Sequence, residues 1–206
     1  MKYTQYFSRD SLISQYHILK RIKLPMEEHR YILNSGICHA MAFNWLVKLH
    51  EGHTIRTACQ HLSGALPQQS KSETTSLHRQ IVYQQLSMEK NKKLTDEKFR
   101  SDTTISVASR GHLRQLRNIH VSSFDPDSLA RNLDDILCYS NLYLIKLMPN
   151  HAIAIGRDRA GRVGLFDSNY GIIEINFQHH EKIGGFINMA CRHYQPCFEI
   201  FIQSYG

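Results

Sequence analysis

The last third of the chain constrains the fold most. Short apolar runs, Asn141–Met148, His151–Gly156, Arg162–Phe166, Ile172–Phe177 and Cys197–Ile202, follow one another there. Turn signals separate most of them: Pro149-Asn150, Asp158-Arg-Ala-Gly161 and Asp167-Ser-Asn-Tyr-Gly171. Short strands joined by tight turns build an antiparallel meander.

The first two thirds have a different period. Leu12, Ile13, Tyr16, Leu19 and Ile22 make a helical stripe over Ser11–Lys23, closed by Pro25. Asn34-Ser35-Gly36 signals a turn. Met41, Ala42, Trp45, Leu46 and Leu49 share one face of a helix over Cys38–His50, which Glu51-Gly52 ends. Thr54–Leu62 reads as a shorter helix, and residues 63–76, rich in Gly, Pro, Gln, Ser and Thr, as a loop. Leu77–Phe99 reads as an exposed polar helix. Asp125–Leu137 reads as another, with Asp125 or Asp127 as cap and Pro126 in its first turn. Helices first and strands later is the α+β pattern. At 206 residues and 42% hydrophobic, the chain has material for one domain spanning 1–206.

Lysine and arginine number 25 against 18 acidic residues, a net charge of +7 that favours acidic partners. No nucleic-acid motif accompanies the charge, so no nucleic acid is expected as partner. Arg110, Arg114 and Arg117 have the spacing of one helix face. With the lysines near residue 92 they are candidates for contact with an acidic membrane or protein surface. No run approaches the ~18 apolar residues of a membrane span. The opening MKYTQYFSRD has no apolar core of a Sec-type signal peptide, and none is expected.

The five cysteines are odd in number and mostly far apart, which is not a disulfide framework and points to a reducing compartment. Cys191-Arg-His193 followed by Cys197 has a loose metal-like spacing but no convincing fourth ligand, so no metal and no cofactor are expected. Cys38 stands apart because it opens an apolar helix after Asn-Ser-Gly-Ile. A helix N-terminus favours a thiolate, and its N–H groups can hold an oxyanion. Taken alone, such a residue is more often core filler. A nucleophile needs a base, and the base an orienter. His151 begins a strand and Asp167 follows at the end of the adjoining one. A hairpin centred near residue 159 places them opposite each other, with Cβ atoms about 5 Å apart. Asp167 then holds one imidazole nitrogen while the other faces Cys38.

Three segments together resemble the motif blocks of the YopT/AvrPphB-type cysteine proteases. They are Gly36-Ile-Cys38-His-Ala40-Met-Ala-Phe-Asn-Trp45-Leu46, Asn150-His151-Ala152-Ile-Ala-Ile, and Leu165-Phe166-Asp167-Ser-Asn169-Tyr170-Gly171. The resemblance implies a papain-like fold, with a helical lobe carrying the nucleophile against an antiparallel sheet carrying His and Asp. It implies a Cys-His-Asp triad of Cys38, His151 and Asp167, and cleavage of a host protein by a bacterial effector delivered into the host cell. Residues 62–130 have no counterpart in the motif blocks. Papain-like enzymes also place a side-chain amide beside the nucleophile's N–H; Asn34 is the candidate, with Asn150 and Asn169 behind it. The same triad serves a glutamine deamidase or another thiol acyl-transfer enzyme. A non-catalytic basic adaptor is the alternative of another class.

Overall fold

The computed structural model describes residues 4, 7, 15–94, 113–121, 140–149, 151–175, 181–194, 197 and 199–206. In these, helices α1 (Gln15–Arg21), α2 (Met26–Ser35), α3 (Cys38–His50), α4 (Ile55–Ser63) and α5 (Lys71–Leu94) come first. Strands β1 (Gln115–Val121), β2 (Leu142–Met148), β3 (His151–Arg157), β4 (Val163–Asp167) and β5 (Gly171–Ile175) follow, then α6 (Glu181–His193) and β6 (Glu199–Tyr205).

Local chemistry sets these boundaries. α1 ends at Arg21, short of Pro25, which at φ −53° stands at the N-cap of α2. Thr54 and Thr57 form a reciprocal capping box at the start of α4, which Gly64 closes in the left-handed conformation. The long helix α5 begins at Lys71, not at Leu77 as the composition of 63–76 suggests. Ser70 Oγ accepts from Glu73 N at 3.1 Å, and Glu73 Oε2 accepts from Ser70 N at 2.7 Å. That box starts a helix inside what reads as a loop. A second correction concerns β1. Arg117 lies in β1, paired with β6, and Arg114 just before it exchanges backbone hydrogen bonds with Gly206, so their helical spacing has no meaning there. Arg110 and the expected helix over 125–137 lie outside the described residues.

The strands form one antiparallel sheet in the order β1-β6-β2-β3-β4-β5. One face carries Leu142, Leu144, Ala154, Phe166 and Tyr205 against Trp45, Leu46 and Leu49 of α3. Trp45 stacks on Phe166 with ring centroids 5.5 Å apart. Gly156 lets α3 come this close to β3: a Cβ there would lie 2.3 Å from Leu49 Cδ1. The other face carries Tyr143, Ile145, Ile153, Leu165 and Ile202 against Ile183, Phe186, Ile187 and Ala190 of α6. Because strand side chains alternate, His151 and Asp167 share the α6 face with Ile153 and Leu165. The expected helical lobe against an antiparallel sheet is the arrangement found.

Candidate active site

Cys38 is the first residue of α3 and is buried. Ile37, at the cap, offers no side-chain acceptor to the helix. Neighbouring glutamines supply acceptors instead. Gln15 Oε1 accepts from Ile37 N at 2.8 Å, and Gln85 Oε1 from Ala40 N at 3.1 Å. Gly36, with φ 70° and ψ −174°, makes the entry in a conformation essentially confined to glycine.

His151 and Asp167 meet across the β3–β4 hairpin, though not in the expected register. Asp167 pairs with Ile153, so the hairpin centres on residue 160 and the two side chains are diagonal neighbours on one face. Asp158 makes the difference. Its Oδ1 accepts from Ala160 N and Arg162 N, holding Arg162 in the turn rather than the strand. The diagonal still closes: His151 Nε2 lies 3.2 Å from Asp167 Oδ1, an ion-pair contact off the line of an aligned hydrogen bond. His151 also hydrogen-bonds the Cys38 side chain. Cys38, His151 and Asp167 are thus brought together. Asn34 lies in the last turn of α2; its side chain lies outside the described residues, as does Asn150.

Burial opposes a charge on His151, but the Asp167 carboxylate and then Cys38 outweigh it, and its pKa is pushed up to about 10. The imidazole is therefore protonated at neutral pH. His39, next to Cys38 in the chain, is its opposite: burial and then Lys146 hold it well below the ordinary range, so it is neutral. Of the other thiols, burial pushes Cys59 up to about 12. Cys191 donates to Cys197, and that hydrogen bond holds Cys197 below the usual thiol range.

Two residues of this assembly were not singled out by the sequence. Tyr194, just past α6, stacks on His151 with centroids 3.7 Å apart, and its hydroxyl lies 2.9 Å from Asp167 Oδ2 and 3.1 Å from Oδ1. Burial first, and the Asp167 charge next, push its hydroxyl pKa up, so it stays a donor. Gln15 is the second: it answers Ile37 N and also donates from Nε2 to Asn169 Oδ1 at 2.7 Å. Asn169 in turn donates from its backbone to Asp167 Oδ1 and from Nδ2 to Tyr194, so its amide is engaged away from an oxyanion role. Among the described residues no three His, Cys, Asp or Glu side chains cluster to hold a metal ion, and no helix is long and apolar enough to cross a membrane.

The raised His151 pKa has a readable consequence. Activity should hold through neutral pH and fall as pH rises through about 10, where the imidazolium is lost. Stability follows the same sign. The folded value lies above the ordinary 6.5, so the His151 contribution is complete below about pH 6.5 and gone above about pH 10. Rate profiles on a peptide substrate, with denaturant midpoints of wild type against His151→Gln, measure both. A deprotonation midpoint near 6.5 would mean that the Asp167 carboxylate does not hold the imidazolium.

The helical lobe on an antiparallel sheet and the family to which the chain is matched make it a cysteine protease. Residues 7–195 match the model of the C58 peptidases, the Yersinia/Haemophilus virulence surface antigen family. The chain belongs to that family. Among solved structures it is similar to the Pseudomonas avirulence protein AvrPphB, at 19% identity and a TM-score of 0.57, covering 82% of this chain and 90% of that one. It also matches the ubiquitin-specific protease of the murine cytomegalovirus tegument protein M48, at 12% identity and TM-score 0.42, over 81% of this chain and 75% of that one. A third match is PatoxP, a cysteine protease-like domain of a Photorhabdus asymbiotica toxin, at 8% identity and TM-score 0.34, over 93% and 87% of the two chains. The likeness to AvrPphB shows the fold. A search of the curated proteins gave no match.

Proposed function

We propose that Cys38, His151 and Asp167 are the catalytic triad of an effector protease that cleaves a host protein, acting inside the host cell after delivery by a specialised secretion system. The observation behind this reading is one buried histidine placed between a carboxylate 3.2 Å away and the thiol at the start of α3. The nucleophile is Cys38 as thiolate, with the protonated His151 beside it. The thiolate attacks the scissile carbonyl carbon, and the oxyanion meets the Cys38 backbone N–H, with the Asn34 amide as the proposed second donor. His151 gives its proton to the leaving amine, and the acyl group remains as a thioester. The neutral imidazole then takes a proton from water, which attacks the thioester and frees the thiolate. Asp167 stabilises the charged imidazole and aims it throughout.

The test is mass spectrometry of host lysate exposed to wild type or to Cys38→Ala. New peptide termini that depend on Cys38 are the expected result. A gain of about 1 Da at glutamine, without new termini, means that the thioester serves deamidation instead.

A further inference from the structure

A chain of hydrogen bonds connects the residue before the nucleophile to the acid without passing through His151. Ile37 N–H donates to Gln15 Oε1 at 2.8 Å. Gln15 Nε2 donates to Asn169 Oδ1 at 2.7 Å. Asn169 Nδ2 donates to the Tyr194 hydroxyl at 3.1 Å, and that hydroxyl donates to the Asp167 carboxylate. Every donor points the same way and the chain ends on a carboxylate, the arrangement in which successive bonds polarise one another. Gln15 is further pinned by its own N–H, which donates to Ser168 O at 3.2 Å. Four separate pieces of chain meet at this point: the start of α1, the entry to α3, the β4–β5 turn, and the turn after α6, where Tyr194 N donates to Ala190 O at 2.9 Å. The Tyr194 ring meanwhile stacks against His151, at 24° between planes.

We propose that Tyr194 is a positioning residue of the His151–Asp167 pair, its hydroxyl fixing the carboxylate and its ring walling the pair from water, and that Asn169 and Gln15 tie it to the helix that carries Cys38. This rests on the triad reading of the site. Asp167 has no exposed surface, so protein donors alone set its orientation. The contact from His151 is not aligned well enough to do so itself. The two halves of Tyr194 act on the histidine in opposite senses. The hydroxyl stabilises the carboxylate most when the imidazole beside it is neutral and the negative charge stands alone, so it favours loss of the proton. The ring keeps water from screening the ion pair, so it favours retention of the proton.

Two variants separate these effects from simple packing. Tyr194→Phe keeps the ring and removes the hydroxyl; Tyr194→Leu keeps bulk and removes the ring. The readout is the titration of the His151 ring by NMR, assigned by its absence in His151→Gln, together with kcat and KM on a peptide. Tyr194→Phe should raise the His151 titration midpoint and lower kcat by about 10-fold, the scale of one hydrogen bond to a charged group, with KM nearly unchanged. Tyr194→Leu should lower the midpoint. Gln15→Ala should cost kcat alone, and less than additively when combined with Tyr194→Phe, since both interrupt one chain. A His151 midpoint and kcat unmoved by Tyr194→Phe would overturn the proposal, as would shifts of the same sign in both Tyr194 variants. If Tyr194→Leu does not fold, the Phe variant decides. Cys38→Ala, run alongside, keeps the two readings apart. Turnover by Cys38→Ala would remove the triad, while the His151 titration still judges Tyr194.

Discussion

His151→Ala is expected to lose essentially all turnover, on the order of 10⁴–10⁶-fold, while remaining folded. Among the described residues of the site, no other group is placed to replace it. His39 is next to Cys38 in the chain but is held neutral by burial and Lys146, so it cannot act as the acid that protonates a leaving amine. The Tyr194 hydroxyl is committed to Asp167. Single-turnover formation of the thioester on an activated ester is the appropriate measurement, because a good leaving group needs no proton. The defect should be smaller there than on an amide, and an equal loss on both would mean that His151 serves geometry rather than proton transfer.

Asp167→Asn is expected to cost about 10²–10⁴-fold at neutral pH and to leave the fold intact. The amide oxygen can still accept from Asn169 N, and the Tyr194 hydroxyl can turn to meet the amide group. What disappears is the charge that outweighs burial at His151, so its titration should fall far below 10. The imidazolium would then be a minority form at pH 7. A fully active Asp167→Asn would make the carboxylate a turn residue only, supporting Asn169 in Asp-Ser-Asn.

The sequence disclosed most of the architecture where one signal acted alone. Cys38–His50 was legible to the residue because Gly36 and Glu51-Gly52 punctuate an unbroken apolar stripe. The strands of the last third, unlike β1, were legible because short apolar runs are cut by Pro, Asp, Asn and Gly. Misreadings arose where two signals competed. Ser70 and Glu73 carry a capping box, but they sit in a stretch whose composition reads as loop. Arg114 and Arg117 are spaced like a helix face, yet Ile119 and Val121 pair with β6 and that pairing prevails. The register of the β3–β4 hairpin depended on Asp158 capturing two backbone amides, a side-chain event that counting residues cannot foresee. The motif blocks pointed to Cys38, His151 and Asp167, which the fold brings together. Gln15 and Tyr194 were not legible, because each acts through tertiary contact alone, 22 residues before Ile37 and 27 after Asp167.

The two faces of the sheet bear on how this enzyme fails. His151 and Asp167 are joined through the backbone ladder of neighbouring strands, and Tyr194, just past α6, contacts both. Cys38 rides on a helix that belongs to the opposite layer, linked to them by side-chain contacts and the Gln15 bridge. Slight parting of the layers therefore separates thiol from imidazole well before it separates imidazole from carboxylate. Under rising denaturant or heat, inactivation should run ahead of loss of secondary structure, leaving an interval in which the protein is intact by circular dichroism yet inert. A substrate that contacts both layers would narrow that interval in proportion to its affinity for the native state.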